Sequence, residues 1–324
     1  TRQVSSAASD VYKRQNNYSP MKSLFFSTGG IHLATMAGML SGILDHVSNA
    51  EHFGGISAGA LLASLCAIHG PIDAYDMMVK HSHDSLLTPN YSHFNSILSF
   101  LFKDSLLNSE HLTAIVKELV HNKPLQATLH IGYTNKETMQ YEPVTFEKGT
   151  IPKDLYKHIV ASMSIPLILP AVDIDGKTFM DGGIFHSIPI EAINHLVSNY
   201  TNKETPLDLM ILASKPFDYA LHQEKSKHTF FKTAYDAYKY AQGFECISIH
   251  NDKQLLDEIL KNAGLSDKHV NYHMYSISQK DAEKWNEKIP MDSYGHIKRE
   301  HIDELVNLGT VSYTHLTLPT KLAV

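Results

Sequence analysis

Three short segments carry residues whose types and spacing could do chemistry together. Gly55-Ile56-Ser57-Ala58-Gly59 has the G-x-S-x-G form, in which a serine sits on a sharp strand-to-helix turn with its hydroxyl raised above the sheet. A serine hydroxyl is a weak nucleophile until a base removes its proton and donors stabilise the charge forming on the attacked carbonyl. Nucleophilic acyl transfer is the chemistry it would perform, so a base and an oxyanion site must come from elsewhere. Thr28-Gly29-Gly30-Ile31-His32 follows an apolar run and enters a helical pattern, which aims backbone N–H groups at a helix mouth where negative charge is favoured. Phe179-Met180-Asp181-Gly182-Gly183 ends an apolar stretch on a carboxylate. Partial burial there would raise its proton affinity and suit it as the base.

Each segment also has a plainer reading. Ser57 could be a helix N-cap or a serine in a Gly-rich turn. The first glycine segment could bind phosphate, although no Gly-Lys-Ser/Thr follows it and no acidic residue closes a dinucleotide fingerprint. Asp181 could simply cap a turn.

The flanking patterns supply the elements that must position these groups. Residues 23–27 read as a strand, 33–47 as a helix, 51–56 as a strand and 58–70 as a helix. This β-α-β-α opening argues for a parallel sheet covered by helices. Residues 71–122 read as mainly helical and would cover the sheet, and 127–135 with 141–147 read as a strand pair joined through KETMQ. A helix near 153–164 stops before Pro166 and Pro170, a strand pair over 171–183 turns at Asp175-Gly176, and 188–197 is again helical. Residues 207–214 read as a buried strand, and helices with one strand near 273–278 fill the remainder to Gly309, where the last helical pattern closes.

Composition narrows the partners. The chain has 324 residues, is 43% hydrophobic and carries a net charge of -6 without long runs of one sign, so it can bury a full core and offers no nucleic-acid footprint or polybasic anchor. A neutral or lipidic partner fits better. Cys66 lies in an apolar run as a small buried hydrophobe, and a disulfide framework with Cys246 is not expected. The 21 histidines show no HExxH or comparable metal spacing, so metal catalysis is not expected, and no cofactor is.

Residues 4–15 and 311–321 resemble translated sequencing-adapter fragments, so 1–20 and 310–324 are expected to be non-native extensions around one domain at 21–309. From Met21 onward there is no signal-peptide pattern and no 18-residue apolar span, which makes a cytoplasmic location the default and leaves signal-free secretion open.

Taken together, the three segments resemble the patatin-like phospholipase family. Its members carry a glycine-rich oxyanion loop, a G-x-S-x-G serine and a D-G-G/A aspartate in that order. The stretch ASMSIPLILPAVDIDGKTFMDGGIFHSIPIEAI, residues 161–193, also resembles the family's approach to its aspartate. The resemblance implies a three-layer α/β/α fold with a mostly parallel sheet, and a Ser–Asp dyad without a histidine. Ser57 would be the acylated nucleophile, Asp181 the proton acceptor, and Gly29, Gly30 and Ile31 the oxyanion donors. Gly55, Gly59, Gly182 and Gly183 would complete the motifs. Lipid or phospholipid would be the substrate, reached through transient membrane-surface contact, and no calcium is expected, since a serine nucleophile needs no metal.

Departures from the family pattern are Thr28 at a usual glycine, His32 and Leu33 where Arg or Lys and then Gly are usual, and Ser187 at a frequent Asn. A neutral imidazole at His32 gives less positive potential than a guanidinium. The apolar segment 94–102, FNSILSFLF, is either a contact for acyl chains or a packing helix. Two rivals stand beside the dyad. One is an α/β-hydrolase esterase with a Ser–His–Asp triad drawing on His195 or His250, against which the early position of the serine counts. The other is a catalytically idle lipid-binding relative, motivated by His32 and Leu33.

Overall fold

A computed structural model of the chain describes residues 20–81, 109–166, 168–200, 205–216, 248–263, 270–278, 280–281 and 299–315. Their strands are β1 (Met21–Phe26), β2 (His52–Ile56), β3 (Thr128–Asn135), β4 (Gln140–Phe146), β5 (Val172–Ile174), β6 (Lys177–Asp181), β7 (Leu207–Ala213) and β8 (Val270–Ser276). Their helices are α1 (Leu33–Val47), α2 (Ala58–His69), α3 (Pro71–His81), α4 (Glu110–Val120), α5 (Leu155–Ser162), α6 (Ile190–Asn199), α7 (residues 248–262) and α8 (Arg299–His315).

All eight strands join one sheet, linked in the order β5-β6-β3-β2-β1-β7-β8 with β4 on β3. The pairs β3–β2, β2–β1, β1–β7 and β7–β8 are parallel, as the β-α-β-α opening implies. The β3–β4, β3–β6 and β5–β6 pairs are antiparallel. Strand β7, LDLMILA, is buried along its whole length, as suits a central parallel strand, and its one charged residue, Asp208, lies 2.7 Å from His46 Nε2.

Alternate residues of the central strands face two separate cores. Leu24, Phe26, Phe53, Leu129, Ile131 and Leu212 pack against apolar faces of α1 to α5, while Phe25, Leu207, Leu209 and Ile211 pack against Ile193 and Leu196 of α6 and Leu256 of α7. Helices on both faces of a sheet make the expected three layers. Helix α8 lies against α1, where a Cβ on Gly38 would strike Val306 O and one on Gly309 would strike Thr35 O. Gly309 therefore serves close packing, and the helical pattern expected to close there continues to His315. Segment 94–102 lies outside the described residues. Among the described residues no helix is long and apolar enough to cross a membrane.

Candidate active site

Ser57 sits between β2 and α2 with φ 56° and ψ -126°. An L-residue in that region carries strain of about 1–3 kcal/mol and persists only where its surroundings enforce it. The enforcement is visible on both sides. A Cβ on Gly55 would strike the Gly59 carbonyl group and one on Gly59 would strike Ser27 O, so α2 can fold back over β2 and β1 only with glycine at both positions. Ser57 makes no side-chain capping bond to α2, so its hydroxyl is not spent as an N-cap. Its backbone N–H donates instead to Ser162 Oγ at 2.8 Å, and that hydroxyl donates to Gly132 O at 2.6 Å.

Asp181 reaches the same place by a different route. Strand β3 bonds β4 along one edge from Leu129 to Asn135, so β2 and β6 must share its other edge. Strand β2 occupies that edge up to Ile56, opposite Gly132, and β6 runs in from the other end to Asp181, opposite Tyr133. The two strands thus meet end to end on consecutive residues of β3. Ser57 is the first residue beyond one, and Asp181 is the last residue of the other. A Cβ on Gly182 would lie 2.6 Å from Gly132 O and 3.0 Å from Ile56 Cγ2, which marks how closely the two ends abut.

Asp181 is 4% exposed. Its Oδ1 accepts the N–H of Gly183 at 2.7 Å, its own N–H donates to Ser164 O at 2.9 Å, and its carbonyl accepts from Thr134 Oγ1 at 3.0 Å. The carboxylate does cap the Gly182–Ile184 turn, as its plainer reading supposed. That bond engages one carboxylate oxygen and fixes the group's direction.

The Gly29-Gly30 loop leaves β1 at the same carboxyl edge of the parallel strands, where open α/β sheets place their sites. It is braced from two directions. Ser214, just past β7, donates its Oγ to Thr28 O at 2.6 Å and its N–H to Ser27 Oγ at 2.9 Å, and Thr28 N–H donates to Ser187 O at 2.8 Å. Gly30 takes φ +51° and opens the short 3-10 turn Gly30–His32. The first bond of that turn runs from His32 N–H to Gly29 O, so the N–H groups of Gly29, Gly30 and Ile31 precede it and are not consumed by it. His32 is buried, and burial followed by the positive charge of Lys215 holds its imidazole well below the usual histidine range. It is therefore neutral at pH 7, and Lys215, itself buried beyond the end of β7, is a cation near enough to act on it.

The histidines weighed for a triad lie elsewhere. His195 is exposed on α6 beside Asn199, and His250 is exposed on α7 beside Gln254. Cys66 is buried on α2, and burial pushes its thiol far above the usual range, as suits a packing residue.

Two features escaped the sequence reading. Ser162 and Ser164 stand in the segment ASMSIP, but nothing local distinguishes a serine that bonds the distant Ser57 amide from one that caps a helix end. The other is His186–Asp252: His186 Nδ1 lies 2.8 Å from Asp252 Oδ1, while Asp252 Oδ2 accepts the N–H groups of Ser187 at 2.6 Å and Ile188 at 2.9 Å. This buried carboxylate ties α7 to the segment that follows Asp181.

Fold and site define an α/β protein with a serine elbow beside a strand-end aspartate and a glycine-rich loop. The chain belongs to the patatin-like phospholipase family, whose model matches residues 24–193. The crystal structure of VipD from Legionella pneumophila is similar over 92% of this chain and 67% of its own, at 13% identity and a TM-score of 0.37. That of the type III effector protein ExoU is similar over 91% of this chain and 52% of its own, at 9% identity and a TM-score of 0.36. This chain thus spans about half the length of the ExoU chain.

Proposed function

We propose that this protein is a serine lipid acyl hydrolase that cleaves fatty-acyl esters, phospholipids among them, through Ser57 and Asp181. The observation that carries the reading is the end-to-end meeting of β2 and β6 on Gly132 and Tyr133 of β3. In the first half-reaction Asp181 takes the hydroxyl proton as Ser57 Oγ attacks the ester carbonyl. The N–H groups of Gly29, Gly30 and Ile31 receive the negative charge on the carbonyl oxygen. The alcohol leaves with the proton held by Asp181, and the acyl group stays on Ser57. In the second half-reaction Asp181 takes a proton from water, the resulting nucleophile attacks the acyl-enzyme, and the fatty acid departs as Ser57 regains its proton. The family supports a lipid substrate, and access through a membrane surface belongs to the same proposal.

His186–Asp252 is the observation that favours the rival Ser–His–Asp arrangement. Asp252 is committed to two backbone amides as well, which suits a structural clasp. A fluorophosphonate probe and a short-chain nitrophenyl ester separate the readings. Loss of labelling and turnover in Ser57→Ala, loss of turnover in Asp181→Asn, and retention in His186→Ala, His195→Ala and His250→Ala are expected. An essential histidine would replace the dyad by a triad, and a parent protein that neither labels nor turns over would be an idle relative.

A further inference from the structure

The hydroxyl of Ser162 occupies an unusual place in the sheet. It accepts the N–H of Ser57 at 2.8 Å and donates to Gly132 O at 2.6 Å, so it stands between the amide that β2 would next offer and a carbonyl of β3. A direct ladder bond there would pull Ser57 into the plane of the sheet. The interposed oxygen satisfies both buried groups while letting the chain lift away at φ 56°. Two residues on, Ser164 O accepts the N–H of Asp181 at 2.9 Å. Ser162 and Ser164 are both fully buried at the end of α5, a helix anchored by Leu155, Ile159 and Val160 in the core.

We infer that Ser162 is a positioning residue for the nucleophile, and that the end of α5 acts as a bracket holding Ser57 and Asp181 by their amides at a set separation. The inference rests on the Ser57–Asp181 reading for its kinetic consequence and on hydrogen bonding alone for its geometry. Ser162 touches no substrate. It acts by fixing the residue that does, and a displacement of about 1 Å at a reacting atom can cost on the order of 100-fold in rate.

The test compares Ser162→Ala with Ser64→Ala, since Ser64 is another fully buried serine whose hydroxyl donates to a backbone carbonyl, Ala60 O at 2.7 Å, in a bond that involves neither Ser57 nor Asp181. Ser162→Ala loses two buried hydrogen bonds and Ser64→Ala one, and thermal midpoints monitor the stability cost of each. Fluorophosphonate labelling of Ser57 is expected to slow by about 10- to 100-fold in Ser162→Ala, with kcat on the nitrophenyl ester falling and KM little changed. Ser64→Ala is expected to label at the parent rate, and Ser162→Thr to recover most of the loss. Should Ser162→Ala fail to fold, Ser162→Cys, with a weak thiol donor of similar size, is expected to fold and to label slowly. Parent-rate labelling in folded Ser162→Ala or Ser162→Cys, or an equal loss in Ser64→Ala, would overturn the inference. Hydrogen exchange at the Ser57 amide decides it without catalysis. Faster exchange in Ser162→Ala than in parent and Ser64→Ala sustains the bracket even if the parent proves inactive, and unchanged exchange overturns it.

Discussion

Asp181 stands opposite Tyr133 in the β3–β6 ladder, one residue beyond the position at which Gly132 faces Ile56 in the β3–β2 ladder. Neither β2 nor β6 can lengthen toward the other without displacing it. The separation of Ser57 and Asp181 is thus tied to the register of two ladders rather than to flexible loops.

Gly182→Ala tests that relationship. The added methyl would press on Gly132 O at 2.6 Å and Ile56 Cγ2 at 3.0 Å, so Asp181 must retreat from the junction. We expect a loss of about 1–3 kcal/mol in urea unfolding. Fluorophosphonate labelling should fall at least tenfold in the protein that remains folded.

Gly55→Ala and Gly59→Ala should fail more severely, because each methyl meets backbone that has no rotamer to escape into: the Gly59 carbonyl group for the first, Ser27 O for the second. A cost above about 3 kcal/mol is expected for either, outside the range of ordinary surface changes. The check is soluble yield and the midpoint of chemical denaturation.

Acid should weaken the fold from pH 6.5 downward. Burial first, then the neighbouring His52 and His195, lower His130 from 6.5 to about 3, and burial also lowers His52, His69 and His158. His130 is enclosed by Phe25, by His52 at 3.1 Å and by Thr145 at 2.9 Å. A histidine depressed in the folded state takes its proton first in the unfolded chain, so its contribution is complete above 6.5 and drains away as pH falls toward about 3. His130→Gln should flatten the pH dependence of the thermal midpoint across that window.

His186 should act in the opposite sense. Its hydrogen bond to Asp252 raises its pKa above 6.5, so the stabilisation it brings is complete below 6.5 and is lost as pH rises through the raised value. Asp252→Asn should remove this slope. It should also cost about 1–3 kcal/mol, since Ser187 and Ile188 lose a charged acceptor. Differential scanning calorimetry from pH 5 to pH 8 separates the slope from the offset.

Much of this arrangement could be read from residue pattern alone, because it is local. The stretch HFGGI ahead of Ser57, the small residues around it and the strong helix former behind it specify a strand, a turn and a helix within twenty positions, and β2 and α2 lie there. The turn at Asp175-Gly176 was likewise written in two adjacent residues, which take φ 52° and φ 79°. What stayed hidden depends on partners far apart in the chain. Periodicity shows that β3 and β6 are strands, but not that β6 shares an edge with β2. Nor does it show that Ser162 would bond an amide 105 positions away, or that Asp252 would clasp His186 across 66. Gly309 misled for the opposite reason. A glycine near a helix end reads as a stop, whereas here it is the point at which two helices touch.

The β5–β6 hairpin has a practical use. Its tip at Asp175, Gly176 and Lys177 is exposed, and it lies at the end of β6 remote from Asp181. A reporter peptide or immobilisation tag spliced between Asp175 and Gly176 would hang in solvent. Such a graft would give crystallographers and enzymologists an attachment point that leaves the Asp181 end of the strand untouched.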